Sequence, residues 1–464
     1  MTITSELAGD VRALLSEAVG GPHVLTAPGE LITYAHDATA SLGAIPSAVV
    51  LPASTEEVQS VLCIAHQHRI PVVPRGAGTS LAGGTVALQH AIVLSMSRMH
   101  AILEVSPREM LLRAEAGATT QSVIQAAADV GLLYPPDPGS RSVCTIGGNV
   151  ATCAGGLRGL KYGVTRNYVL GLTAVLADGS RITTGGRLWK DVAGYDLTRL
   201  LTGSEGTLAV ITEVTVALRP APRFEAVGIA FFDSLAHAAA TVDAIVGAGI
   251  LPSTLEFLDG QCINAVEDFA GLGLDRSAGA LLLFGDDGEP DAVRSSMAAM
   301  AEHAAAGGGK GLRIADDPAG LEELLHARRC SLPALSRLGA VTILEDVTVP
   351  RPAMAEMVRF IEEAAGRHDV LIATFGHAGD GNLHPTACLP AGDAAALRRA
   401  HHAFSDIFAA AIALGGTITG EHGVGLAKLP YLASQLGATQ MDLLRRVKQA
   451  FDQFGILNPG KLGS

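Results

Sequence analysis

Pro74-Arg75-Gly76-Ala77-Gly78-Thr79-Ser80-Leu81-Ala82-Gly83-Gly84, entered from the apolar run Ile70-Pro71-Val72-Val73, is the stretch from which the rest of the chain can be read. An apolar strand running into glycine-rich backbone exposes several N–H groups at once, and Arg75 adds a fixed positive charge; together these can hold a pyrophosphate. The spacing is neither GxGxxG opening a helix nor GxxxxGK[ST], so the common dinucleotide fingerprint and the P-loop both fit poorly. Taken alone, the loop reads equally as a tight surface turn or a phosphate cradle.

Upstream, Ala48-Val49-Val50-Leu51-Pro52 predicts a short buried strand. Ser54-Thr55-Glu56-Glu57 predicts a capping box opening a helix with Val58, Val61, Leu62 and Ala65 inward. Strand, helix and the strand before the glycine loop make a βαβ unit. Residues 7–19 carry apolar positions at helical spacing and end at Gly20-Gly21. Downstream, residues 111–115 predict a strand and 121–130 a helix. Residues 134–156, rich in Gly and Pro among Val, Ile and Cys, predict irregular backbone pressed against something flat and rigid. Asp178-Gly179 centres a hairpin over 172–184, and 208–218 alternates as a strand.

Arg219-Pro220-Ala221-Pro222 marks a domain boundary. Beyond it, strand-like runs at 227–232, 254–258, 281–284, 341–344 and 370–375 are separated by Ala-rich helices, which predicts an antiparallel sheet with helices on one face. In the last predicted helix, 441–454, Leu443, Leu444, Val447, Phe451 and Phe454 face the core and Arg445, Arg446 and Lys448 face solvent; a membrane-surface helix is the alternative.

A chain of 464 residues, 48% hydrophobic and 17% charged, has room for two or three full cores. Its net charge of −13, without a basic stretch, excludes a nucleic-acid binder. The start lacks a basic region followed by an apolar one, and no apolar run reaches the length of a membrane span, so a cytoplasmic protein is expected, at most peripheral at the inner face of the membrane. Six cysteines without CxxC or CxxH spacing give no support to zinc ribbons or iron–sulfur clusters. Electrons handled here must leave through a partner or a diffusible acceptor.

The most specific stretch is His377-Ala378-Gly379-Asp380-Gly381-Asn382-Leu383-His384. On one strand, histidines seven positions apart would face opposite sides; a turn through Gly379 to Asn382 brings them toward one point. Further on, Gly415-Gly416-Thr417-Ile418-Thr419-Gly420 leads to Glu421-His422-Gly423, a carboxylate beside an imidazole in open backbone. Two imidazoles and a carboxylate suit a catalytic zinc, and Mn²⁺ or Fe²⁺ can take the same set. Hydrogen-bonded core histidines are the alternative, in a chain with 15 of them.

With both halves read, the chain resembles the FAD-linked 2-hydroxyacid dehydrogenases of the vanillyl-alcohol oxidase fold superfamily, the group of the glycolate oxidase flavin subunit and flavin-linked D-lactate dehydrogenases. The motifs PRGAGTSLAGG, PPDPGS, TIGGNVAT, LKYGVT, TGSEGTLAVIT, HAGDGNLH, GEHGVG and LNPGKL carry it, from about Pro46 to Lys461.

The resemblance implies an α+β fold: a two-part FAD-binding domain of the vanillyl-alcohol oxidase type plus a cap domain with antiparallel sheet and helices. The expected division is an N-terminal helical segment 1–45, an FAD-binding domain 46–220, a substrate and metal domain 221–440, and a returning segment 441–464. It further implies that Arg75, Gly76, Ala77, Gly78, Thr79 and Ser80 hold the FAD pyrophosphate. Pro136, Asp137, Thr145, Gly148, Asn149, Ala151, Gly155 and Tyr162 would line the cofactor, with Glu205, Gly206, Ile211 and Asn458 completing the site. Asn458 would reach the flavin from the second domain. Some relatives bond the flavin through a histidine in the first loop; Thr79 stands there, so FAD is expected to be noncovalent.

By the same resemblance His377, His384 and Glu421 bind a divalent metal, His422 is the base and Arg328 recognises the substrate carboxylate, a surface role being the alternative for Arg328. Relatives acting on 2-hydroxyglutarate add a threonine and a lysine; this chain offers Leu332 and no lysine between Arg329 and Pro350. The expected substrate is glycolate or D-lactate. The expected acceptor is a quinone, an iron–sulfur subunit or an electron-transfer flavoprotein, in a homodimer or hetero-oligomer. A D-2-hydroxyglutarate dehydrogenase and a non-catalytic flavin-binding subunit are the competing readings.

Overall fold

In the computed structural model, which describes residues 7–39, 41–88 and 90–462, the chain forms two compact units. One is Met1–Ala154 with Val164–Ala221 and Glu421–Ser464; the other is Gly155–Gly163 with Pro222–Gly420. Residues 1–6, the start of the stretch read for a leader, lie outside the described residues.

The first unit carries β1 (Val24–Leu25), β2 (Ala48–Val50), β3 (Val72–Arg75), β4 (Ile92–Ser95), β5 (Ile102–Ser106), β6 (Leu111–Glu115), β7 (Leu132–Leu133), β8 (Val169–Val175), β9 (Arg181–Gly185), β10 (Val210–Ala217) and β11 (Arg219–Pro220). One sheet has the order β1-β2-β4-β3, with β2, β4 and β3 parallel. Val50, Val72, Ile92 and Leu94 pack with Val11, Leu15, Val58 and Leu62 of the helices Gly9–Val19 and Thr55–His68. Val49, Val73 and Val93 pack instead with Leu31 and Ala87. Because side chains alternate along a strand, a sheet covered on both faces must be apolar at every position, as these runs are. Of the expected N-terminal segment, Val11, Leu15, Val19 and Val24 belong to this core.

Ser54 caps helix Thr55–His68, accepting the Glu57 N–H at 3.2 Å, while the Glu57 carboxylate accepts the N–H of Ala53 at 2.7 Å. A second sheet, β5-β6-β10-β8-β9, is antiparallel and contains the expected hairpin. Gly179 turns it at φ 86°, and a side chain there would overlap Cys63.

Two expectations within this unit are corrected. Residues 146–152 are not irregular but a helix, Ile146–Thr152, capped by Thr145, which accepts the Gly148 N–H at 3.2 Å. Its adjacent glycines, poor helix formers, mask it in the sequence, and Gly147 is needed because a Cβ would lie 2.6 Å from that of Ala116. The last helix begins earlier, at Leu429–Phe451, with a break at Gly437. Its faces are not as expected, for Leu443 is 55% exposed whereas Lys448 is only 8% exposed. The Lys448 ammonium donates to the Asp452 carboxylate at 2.5 Å and to the carbonyls of Thr207 and Leu457, both at 2.7 Å. Three acceptors make a buried cation tolerable, which the spacing of apolar residues cannot reveal. The first unit resumes at Glu421.

The second unit carries β12 (Phe224–Phe232), β13 (Thr254–Asp259), β14 (Ala280–Gly288), β15 (Lys310–Ala315), β16 (Val341–Leu344), β17 (Val347–Thr348), β18 (Ile372–His377) and β19 (Asn382–Leu389). They form one antiparallel sheet, β15-β12-β14-β13-β18-β19-β16, with β17 also on β19. Leu281, Leu282, Leu283 and Phe284 are each fully buried, so both faces of the sheet's centre are covered, not one as expected. Among the described residues no helix is long and apolar enough to cross a membrane.

Candidate active site

The two motif histidines meet through strand geometry. β18 and β19 pair antiparallel with His377 opposite Asn382 and Phe375 opposite His384. Residues directly opposite share a face, as do residues two apart on a strand, so Phe375, His377 and His384 point the same way. The two imidazoles lie edge to face with centroids 5.1 Å apart. The turn between them is tight: Gly381 has φ 80°, and a Cβ there would overlap the Val349 carbonyl.

Glu421 is delivered by the loop before it. Thr417 exchanges backbone hydrogen bonds with Thr348, donating at 2.8 Å and accepting at 3.1 Å. Asp346, fully buried, accepts the Gly420 N–H at 2.6 Å and the Thr419 hydroxyl at 3.0 Å. Glu421 is peptide-bonded to this fixed Gly420, and its carboxylate and the nitrogens of His377 and His384 supply ligand atoms all within 4.8 Å of one another. His422 follows directly, its Nε2 at 3.8 Å from the Glu421 carboxylate. Two imidazoles and one carboxylate at that separation fit a divalent cation with positions left for a small molecule.

Glu256 was not singled out in the sequence. β13 pairs with β18, Phe257 opposite Gly376 and Leu258 opposite Phe375, which sets Glu256 level with His377. The Glu256 carboxylate, 1% exposed, accepts Nδ1–H of His377 at 2.8 Å and Nε–H of Arg328 at 2.7 Å. The Arg328 guanidinium lies 4.6 Å over the Phe375 ring. Arg328 is therefore buried on the histidine face rather than on the surface. The available signal was a lone carboxylate in the apolar strand Thr254-Leu255-Glu256-Phe257-Leu258.

In the first unit the glycine loop leaves β3 as expected. Arg75 turns its guanidinium back under the loop, donating to the His36 carbonyl at 2.9 Å and the Thr85 hydroxyl at 3.0 Å, and a Cβ on Gly78 would overlap it. Its charge shapes the loop from beneath; burial pulls its pKa down. A Cβ on Gly76 would overlap the Thr145 hydroxyl, so loop and helix cap sit in close contact. Asn149 donates to Thr120 at 2.6 Å and Asp137 pairs with Arg141 at 2.5 Å. Pro136 and Ile211 are buried, while Gly148 and Ala151 remain partly accessible.

Glu205, in left-handed backbone at φ 52°, accepts the N–H groups of Val424 and Gly425 at 2.6 and 2.8 Å, and burial raises its pKa despite these bonds. Gly206 follows at φ 68° with Pro74 against the place a Cβ would take. Asn458 lies in the first unit, not the second; its amide donates to the carbonyls of Gly84 and Glu205 at 3.0 and 2.7 Å. Lys461, also not singled out, donates to the Asn458 side chain at 2.7 Å and the Val86 carbonyl at 2.8 Å, its pKa pulled down to about 8 by burial. Asn458 and Lys461 thus hold the backbone at Gly84 and Val86, just after the Gly76–Ser80 loop, while Glu205 holds the turn at Val424 and Gly425. Gly155 and Tyr162 group with the second unit, where the Tyr162 hydroxyl donates to Asp287 at 2.7 Å. Small residues at 76–80, close-packed against a helix N-terminus, fit a dinucleotide pyrophosphate.

Residues 46–185 match the family model described as FAD binding domain, and residues 221–462 match FAD linked oxidases, C-terminal domain. The chain is 45% identical to glycolate oxidase subunit GlcD of Bacillus subtilis (strain 168), over 98% of this chain and 96% of the relative. It is 36% identical to a D-lactate dehydrogenase of Anaerostipes hadrus, over 92% of each. The solved structure of p-cresol methylhydroxylase with substrate bound superposes at a TM-score of 0.83, covering 99% of this chain and 98% of that one at 16% identity, a likeness of fold. The chain belongs to the FAD-linked oxidases and is an FAD-linked oxidoreductase of the glycolate oxidase subunit and D-lactate dehydrogenase type.

Proposed function

We propose that this oxidoreductase converts a small 2-hydroxy acid, glycolate or D-lactate, to the 2-oxo acid, with noncovalent FAD and one divalent metal, zinc ahead of manganese or iron. The observation that carries the reading is the convergence of His377, His384 and Glu421. Bound to this chain, FAD supplies a hydride acceptor and the metal supplies a Lewis acid for the substrate hydroxyl.

The chain's own residues do the rest. His377, His384 and Glu421 hold the cation. His422 accepts the hydroxyl proton. Arg328 has its Nε committed to Glu256, which leaves the two terminal nitrogens as a fork for the substrate carboxylate. The absence of a lysine between Arg329 and Pro350 favours a monocarboxylate over a 2-hydroxyglutarate-like substrate. The name of the Bacillus relative, a subunit, supports a partner that takes the electrons, an iron–sulfur subunit, with a quinone or an electron-transfer flavoprotein serving the same end.

The test is anaerobic bleaching of the flavin by glycolate, D-lactate, L-lactate or D-2-hydroxyglutarate, before and after chelation. Bleaching by glycolate or D-lactate, lost on chelation and restored by Zn²⁺ or Mn²⁺, is expected. Flavin that no 2-hydroxy acid bleaches would instead indicate a non-catalytic flavin-binding subunit.

A further inference from the structure

We infer that Glu256 is a positioning residue that sets the metal site and the carboxylate-recognising arginine with one side chain. The inference rests on the proposed metal-assisted hydroxy-acid site and goes beyond it by joining its metal ligands to its carboxylate-recognising arginine. Glu256 stands on β13 with its carboxylate out of solvent, one oxygen on His377 Nδ1 and the other on Arg328 Nε. Each Glu256 oxygen accepts from one partner, so His377 donates from Nδ1 and keeps Nε2 for a metal. The same pairing fixes the guanidinium by its inner nitrogen, with Phe375 stacked 4.6 Å away to set its plane.

The geometry is supplied by the sheet. Glu256 is level with His377 across β13 and β18, and Phe375 lies two residues before His377 on the same face. Metal ligand and carboxylate fork therefore share one rigid reference. A 2-hydroxy acid presents its hydroxyl and its carboxylate a fixed distance apart, and a site that grips both ends needs its two grips held in fixed relation.

Glu256→Gln separates the contacts. An amide accepts from one donor and turns its own N–H groups toward the other, so His377 and Arg328 cannot both be held. With flavin content as the check on folding, Zn²⁺ affinity measured by competition with a chromogenic chelator should weaken about 10–100-fold. The KM for the hydroxy acid should rise about tenfold or more at saturating Zn²⁺. Stoichiometric Zn²⁺ binding by the unaltered chain, with affinity and KM unchanged in Glu256→Gln, would overturn the positioning role alone. Failure of the unaltered chain to bind Zn²⁺, or equal Zn²⁺ binding by His384→Ala, would remove the metal-site reading as well. A measurement that needs no variant is nitrogen-15 NMR of the histidines in the Zn²⁺-loaded chain: His377 bound through Nε2 with a proton on Nδ1 is expected, and binding through Nδ1 would overturn the inference.

Discussion

Glu205 in the first unit and Glu256 in the second are both buried carboxylates accepting two hydrogen bonds, but they hold different things. Glu205 holds backbone, the N–H groups of Val424 and Gly425. Glu256 holds side chains, an imidazole and a guanidinium. A carboxylate that fixes backbone shapes a loop. One that fixes side chains sets which nitrogen a ring offers and where a fork is aimed. The first arrangement suits a cofactor recognised through its phosphates, the second a reaction that needs side chains in one protonation state.

The sharpest way to break this division is to remove one group on each side and ask which component is lost. His384→Ala removes one of the three proposed metal ligands. Turnover should fall at least about a hundredfold, with metal lost and flavin retained, read by metal analysis beside the flavin spectrum. Glu205→Ala leaves two buried N–H groups without their acceptor and strips compensating charge from Lys461 and Lys428. It should cost about 2–5 kcal/mol, measured by urea unfolding, and should lower flavin content before anything else. Equal loss of flavin and metal in both variants would end the division.

The same contrast explains what was legible in the sequence. Glycine loops are contiguous, so the stretch at 74–84, the turn at Asp178-Gly179 and the motif from His377 to His384 could be read directly, and the strands between them followed from apolar runs. Glu256 and Arg328 are 72 positions apart, and His377 is 121 from Glu256. Nothing local marks these contacts: the register of β13 on β18 sets Glu256 beside His377, and Arg328 comes from the helix Pro318–Arg329. Lys448 shows the same limit at a helix end, since its acceptors are Asp452, the Leu457 carbonyl just beyond the helix and the distant Thr207 carbonyl. Helix Ile146–Thr152 was hidden for a different reason: its glycines are there for close packing against Ala116, and close packing overrides helix propensity.

Asp259 tests whether the contrast belongs to the units or to individual carboxylates. It lies three residues beyond Glu256 on β13, yet holds backbone, accepting the N–H groups of Cys262 at 2.8 Å and Thr374 at 2.5 Å. Burial pushes its carboxyl up to about 6 from an ordinary value of 3.8, the hydrogen bonds offsetting only part of the rise and Glu362 adding to it. Below pH 3.8 the group is protonated in folded and unfolded chains alike. As pH rises from there to about 6, the unfolded chain releases its proton first, so this group's contribution to stability declines through that window and is level above it. Asp259→Asn keeps a competent helix cap, because asparagine serves that position as well as aspartate, but gives up the bond to Thr374. The variant should be less stable by about 1 kcal/mol at low pH, with the gap closing and changing sign between pH 4 and 6, followed by urea midpoints across that range. A gap that widened with pH would mean that the ionised Asp259 carboxylate is net stabilising where it stands, its hydrogen-bond partners outweighing its burial.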